Sequence, residues 1–422
     1  MLNHPSLAAL KHRNFRLIWI GLLLSFTGAF MQNAALLWHV SLLVSPERKG
    51  IALGIVGLVK VLPIVLFSMI SGVVADAWDR RRLMLLTQIA STMVAVGLAV
   101  LSWRGVSAVW PVYVLAALGA AVGAFDLPAR QSLFPMLVPR EDLPNAINLN
   151  TIMVQVASVL GPALGGIVIA AQGVTAAYLA NAVSFIAVIA ALLMMRGVPE
   201  RAEATTARDD ISWRAATEGL RFVFASPLIR SSMLVDFFAT FFASATALLP
   251  IFAQDILQVG PRGYGWLYAA PAVGATVMST VMVFVADRIH QRGRAMIWAV
   301  LVFGAATVGF GLSRVFWLSF LCLALTGAAD TISMIVRNLV RQLETPDRLR
   351  GRMAGVNMVF FAGGPQLGEI EAGAVANWLG ATVSVVSGGV GCILSTLVLA
   401  AMTPQLRAYC APSPDSSSCA RP

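Results

Sequence analysis

Gly72-Val-Val-Ala-Asp76-Ala-Trp-Asp-Arg80-Arg-Arg82 closes one apolar run, and a fresh run opens at Leu83. The acid Asp76 and the block Arg80–Arg82 are packed into this short stretch. Much later in the chain, Val285-Ala-Asp-Arg-Ile-His-Gln-Arg-Gly-Arg294 repeats the pattern in weaker form. Both copies read Val-Ala-Asp, then a basic cluster, then a new apolar run. A basic hinge that recurs between long apolar segments implies a duplicated membrane protein.

Composition agrees. The 422 residues are 58% hydrophobic and 12% charged, with a mean hydropathy of +0.80. A soluble domain carries roughly 25% charged residues, so most of this surface does not face water. The net charge of +10 does not indicate nucleic acid, because the bases sit in short clusters between apolar runs and line no single polar face. Cys322, Cys392, Cys410 and Cys419 lack metal-ligand spacing, and no disulfide framework or metal site is expected. No Gly-Lys dipeptide occurs, which excludes a phosphate-binding loop. Neither His-Glu-x-x-His nor Gly-x-Ser-x-Gly is present, so the chain reads as no enzyme and needs no cofactor.

A membrane-crossing helix needs about 20 mainly apolar residues. Twelve segments qualify: 15–43, 51–75, 83–103, 107–130, 147–172, 175–196, 228–252, 264–286, 295–313, 315–338, 353–376 and 379–402. The expected fold is therefore an all-α polytopic membrane protein of two six-helix bundles. One bundle covers 1–196 and the other 228–402. A polar loop, 197–227, joins them, and a disordered tail, 403–422, follows. Met1–Asn14 leads straight into an apolar segment too long for a signal-peptide core, so the first span is expected to be retained. Alternate loops collect 24 of the 30 Lys and Arg residues, and the opposite loops only five. Because basic loops stay inside, both termini and the central loop are expected in the cytoplasm.

The halves repeat beyond the hinge. Arg130, Pro139 and Asn150 keep the same spacing as Arg337, Pro346 and Asn357. Gly161-Pro-Ala-Leu-Gly165 is matched by Gly364-Pro-Gln-Leu-Gly368. Parallel repeats of this kind place a binding site near the midplane.

Gly72, Asp76, Arg80 and Arg81 fit the loop signature between the second and third helices of the major facilitator superfamily, which this sequence resembles. Ala77 and Asp79 depart from that signature; aspartate tolerates a left-handed turn, so the turn is expected to survive. Gly161-Pro162-Ala-Leu-Gly165-Gly166 resembles the superfamily's antiporter motif. Ala124-Phe-Asp126-Leu-Pro-Ala-Arg130 and Leu367-Gly-Glu369-Ile-Glu371-Ala-Gly resemble the subgroup of enterobactin and macrolide exporters.

The resemblance implies that Asp76 latches to the N-terminus of the eleventh helix, a favourable place for an anion, with Arg130 as its partner. Arg80–Arg82 serve orientation first. Gly161, Pro162, Gly165 and Gly166 permit close packing against the eighth helix.

Ionisable groups inside spans normally face a cavity or a partner. Lys60, Asp236, Asp330, Glu369 and Glu371 are such candidates for proton or substrate handling, with Gln32 and Asn33 beside them. For Asp236 and Asp330 the competing reading is a charge paired with a base such as Arg337. A Lys60–Glu369 or Lys60–Glu371 pair is expected to close the outer side. His39 and Trp38, with Trp103, Trp110, Trp266 and Trp317, read as groups at the membrane interface.

The functional expectation is a monomeric exporter in the inner membrane of a bacterium. It would exchange protons for a siderophore or drug-like molecule by alternating access. An importer or facilitator, and a sensor that kept the fold, are the alternatives.

Overall fold

The computed structural model describes residues 5–196, 221–346 and 350–410. Within these helices the side chains of Gly72, Asp76 and Asp287 lie outside the described residues, as do those of 354–362. The sequence folds as long helices because backbone groups in hydrocarbon must be satisfied within their own segment. In chain order these are α1 (Arg13–Leu43), α2 (Lys49–Ala77), α3 (Arg80–Trp103) and α4 (Trp110–Leu133). Leu143–Met194 then runs as a single element broken at Gly173, and its halves 143–172 and 174–194 are α5 and α6.

The second series is α7 (Pro227–Phe242), α8 (Gly260–Val285), α9 (Arg292–Leu312), α10 (Phe316–Glu344), α11 (Arg350–Leu379) and α12 (Ala381–Met402). The seventh span does not end with α7. It continues through the 3-10 turn Ala245–Leu248 and the helical turn Leu249–Ile251 into a π-helical turn, Phe252–Ile256. The result is a twelve-helix, two-bundle membrane fold.

The break inside Leu143–Met194 has a local cause. Gly173 sits at φ 79° and ψ 177°, a region only glycine enters readily. One residue therefore reverses the chain between two spans. Gly380 does the same between α11 and α12, at φ 91° and ψ 155°. The repeat thus extends to the turn chemistry.

By packing, the chain forms two compact units. The first is Met1–Ala204 with Ala253–Ala269; the second is Thr205–Phe252 with Ala270–Pro422. In the first unit Phe15, Ile18 and Leu22 of α1 pack with Met84 of α3, Leu133 of α4, Met153 of α5 and Val188 of α6. In the second, Val235 of α7 packs with Met296 and Val300 of α9, Val336 and Val340 of α10 and Cys392 of α12. Large apolar side chains also cover the outer helix faces, among them Leu62, Val183, Phe284, Leu321 and Val398. Apolar surface on this scale is stable against lipid, not water.

Trp103, Trp110 and Trp317 are well exposed at helix ends, as interface anchors should be. Trp38 is not: it is buried and packs on the Tyr264 ring at 5.0 Å. His39 is also buried, and its Nδ1 lies 3.1 Å from the Tyr178 hydroxyl. Both readings as interfacial groups are therefore corrected. The partners come from far along the chain: Tyr264 covers Trp38, and Tyr178 of α6 covers His39.

The tail holds a helical turn at Pro404–Arg407, and the Gly293 amide donates to the Tyr409 carbonyl at 3.0 Å. Cys410 is disulfide-bonded, contrary to expectation, whereas Cys322 and Cys392 inside the spans are free. The rest of the tail, 411–422, and most of the central loop lie outside the described residues.

Candidate functional site

The charged centre of the second unit is built by α7 and α10. Asp330, Arg337 and Arg341 are seven and eleven residues apart, so one face of α10 carries them all. Arg337 Nη1 donates to Asp236 Oδ1 on α7, and both residues are buried. Arg337 Nε is also buried but has no hydrogen-bond partner among the described residues. Arg341 donates instead to Asn338 on its own helix. Asp236 is thus the partner of a base, as its competing reading held.

Asp330 differs. It is half-buried, forms no hydrogen bond or ion pair with another described residue, and stands within electrostatic reach of Arg337 and Asp236. It lies two helical turns, about 10 Å, along α10 from Arg337.

The first unit carries a counterpart that sequence reading passed over. Asp126 of α4 is buried and takes three donors: Thr87 Oγ1 at 2.8 Å, Gln88 Nε2 at 2.9 Å, and Arg130 Nη2 one turn along its own helix. The Arg130 guanidinium also sits 4.3 Å over the Phe26 ring of α1. The missed signal was an acid four residues before an arginine within an apolar run, the spacing of a helical ion pair. The pairing of Arg130 with Asp76 lies outside the described residues.

Higher in the same unit, Lys60 Nζ of α2 donates to Asn33 Oδ1 at 3.0 Å. Gln32 accepts from Asn181 Nδ2 at 2.7 Å. Glu369 and Glu371 are half-buried on α11 and, two residues apart, point to different sides of it. Glu371 Oε2 is buried with no hydrogen-bond partner among the described residues.

The opening hinge separates into parts. Gly72 and Asp76 fall in the helical end of α2, and their side chains lie outside the described residues. Asp79 is not left-handed: at φ −62° and ψ 120° it is extended and caps α3 by accepting the Arg82 amide at 2.7 Å. The turn survives through capping chemistry, since an N-cap aspartate satisfies an otherwise orphaned donor. Arg80 reaches the Ser132 carbonyl at 3.4 Å and Met136 Sδ at 2.8 Å. Arg81 reaches the Leu193 carbonyl at 3.3 Å. Each thus places a cation at the last carbonyls of a helix, α4 or α6, where the helix dipole favours it.

Gly161 and Gly165 let α1 approach α5. A Cβ at Gly161 would stand 2.6 Å from the Thr27 carbonyl oxygen. At Gly166 it would meet the Pro261 carbonyl oxygen at 2.6 Å and Gly265 Cα at 2.8 Å, where α5 meets the start of α8. Pro162 shares that crossing, with its carbonyl facing Gly265.

Residues 4–418 match the family described as transmembrane secretion effector. The chain belongs to that family, within the major facilitator superfamily. It is 27% identical over 343 residues to the enterobactin exporter EntS of Salmonella choleraesuis, covering 81% of each chain. The EntS of Escherichia coli O1:K1 is 26% identical over 342 residues, with 81% and 80% covered. Among solved structures, an inward-facing, unoccupied bacterial homologue of the human lysosomal transporter Spinster superposes with a TM-score of 0.73. The identity there is 14%, over 95% of this chain and 99% of that one. A bacterial homologue of the iron transporter ferroportin gives 0.71 at 14% identity, over 94% and 99%. These two likenesses concern the fold. The chain is thus a multi-pass membrane transporter of this superfamily, and its sequence relatives are transporters, not enzymes.

Proposed function

We propose that the protein is a proton-coupled exporter that works by alternating access, with Asp330 as its proton-carrying carboxylate. One observation carries this reading. Asp330 is half-buried in a span without a direct partner, beside a base that Asp236 already engages. A carboxylate so placed is costly as an anion and cheap once protonated, so proton uptake and release change the local charge balance.

The exported molecule is of siderophore or drug-like size, in keeping with the enterobactin exporters among the relatives. The protein acts as a monomer in the inner membrane of a bacterium, with both termini in the cytoplasm.

The test is reconstitution into proteoliposomes with an imposed pH gradient and enterobactin as the probe. Gradient-dependent accumulation that is lost in Asp330→Asn, with protein folded as wild type, supports the proposal. Movement that ignores the pH gradient and stops at equal concentrations would show a facilitator. No movement of enterobactin or of a panel of lipophilic dyes would favour a sensor.

A further inference from the structure

The outer end of the first unit holds a polar cluster that the reading above does not use. Lys49, at the first turn of α2, is only 7% exposed. Its Nζ donates to Asp255 Oδ1 at 3.0 Å, to Asp255 Oδ2 at 2.9 Å and to Gln254 Oε1 at 2.9 Å. Gln254 Nε2 in turn donates to Ser41 Oγ of α1 at 2.7 Å, and Ser41 donates on to the Trp38 carbonyl at 2.7 Å. A single buried ammonium group therefore has all three donors engaged, and the chain of bonds runs from α2 through Gln254 to α1.

The segment that supplies these partners has unusual backbone. Gln254 and Asp255 lie in the π-helical turn Phe252–Ile256. In an α-helix, neighbouring side chains diverge by about 100°. The wider π turn reduces that divergence, so adjacent residues can both reach one lysine. The chain then passes through Gln258 at φ 54°, the one non-glycine residue with positive φ among those described, and Gly260 at φ 64°. π turns and left-handed non-glycine residues are both unfavourable in isolation and persist where tertiary contacts hold them. Tyr264, fully buried, adds a bond from its hydroxyl to the Ala34 carbonyl at 2.8 Å.

We infer that Lys49, Gln254 and Asp255 form a releasable outer clamp that holds the 253–269 segment on the first unit, and that their separation accompanies opening to the outside. This rests on the alternating-access reading above. The segment packs with the first unit, yet its chain continues into the second at both Phe252 and Ala270. Holding or releasing it thus tethers or frees the helices on either side of it. The pair is suited to release because Asp255 is not sealed in. Its side chain is 45% exposed against 9% for Lys49, so water can replace the lysine around the carboxylate as the contact opens. A fully buried pair would resist separation far more. The close crossing of Gly166 and Gly265 closes the same end by shape; the clamp closes it by charge.

The test is accessibility, which needs no substrate. Ala269 is fully buried in the clamped segment. Ala269→Cys, with the four native cysteines replaced by serine, is labelled in right-side-out vesicles with a membrane-impermeant maleimide. Lys49→Ala and Asp255→Ala should each raise the labelling rate about tenfold. The double variant should be no faster than either single, and the exchange Lys49→Asp with Asp255→Lys should restore slow labelling. The melting temperature in detergent should stay near that of the parent. Labelling unchanged in both single variants would overturn the clamp. So would single effects that multiply in the double variant, or a melting temperature that falls in step with labelling, which marks a purely structural pair. Because labelling is read at one fixed pH, with no gradient and no substrate, these outcomes stand apart from the Asp330→Asn result.

Discussion

Arg130 and Arg337 occupy the same place in the two halves, yet they are neutralised differently. The α1–α5 and α7–α11 contacts set the register: Gly161 faces the Thr27 carbonyl, and Gly364 faces the Phe237 carbonyl. Gly165 likewise faces Met31 Cα, and Gly368 faces Phe241 Cα. Phe26 therefore corresponds to Asp236. In the first half this position offers Arg130 an aromatic face, and the acid comes from Asp126 on the same helix. In the second half it offers Arg337 a carboxylate from another helix, and the place four residues before Arg337 is Ser333.

An ion pair within one helical turn moves as a unit and registers little of what neighbouring helices do. An ion pair between helices changes with their separation. Of these two arginine pairs, the one in the second half is thus the one that can follow a change in helix separation, and that half also holds Asp330.

Breaking the comparison starts with Arg337→Ala. It leaves Asp236 buried without its base, which should cost ~3–5 kcal/mol. The expected result is a large fall in melting temperature and in folded yield, partly reversed by adding Asp236→Ala. Arg130→Ala should cost less, about 1–3 kcal/mol, because Thr87 and Gln88 still donate to Asp126. A fall as large as that of Arg337→Ala, in the same thermal assay, would show that the halves are equivalent after all. Phe26→Leu removes only the ring beneath Arg130 and should cost roughly 0.5–2 kcal/mol. The smallest stability change belongs to Asp330→Asn, which removes no hydrogen bond to a described residue. Its melting temperature should match the wild type while gradient-driven transport is lost, so a destabilised Asp330→Asn would assign that carboxylate a structural role. The comparison is sharpened by Phe26→Asp with Asp126→Ser, which gives the first half the second half's arrangement. That variant should fold, and its Arg130 pair should then break on either single reversion.

Much of this was legible without coordinates, and the limits have physical causes. The spans were readable because hydrocarbon tolerates only long runs of internally bonded backbone. Even the α5–α6 boundary at Gly173 fell between two expected segments. Asp236 and Asp330 stood out as charges in apolar surroundings. Asp126 carried the same signal but was read as part of a motif. The assignment of Arg337 to Asp236 and not to Asp330 could not be read, since both acids sit at similar depth and the choice depends on how α7 and α10 face each other. The burial of Trp38 and His39 was equally hidden, because their partners, Tyr264 and Tyr178, arrive from distant parts of the chain.

By itself the sequence determined the membrane class, the twelve spans, the twofold repeat and the list of costly charges. These follow from the energetics of single segments in lipid. Only the tertiary structure decided which charge meets which, that Asp79 caps α3, and that Lys49 grips a π-helical turn. Those outcomes depend on distances between segments far apart in the chain, and no local propensity encodes them. The hinge at Gly72–Arg82 shows both sides: its charges mark the topology, while the carbonyls that Arg80 and Arg81 reach belong to the ends of α4 and α6.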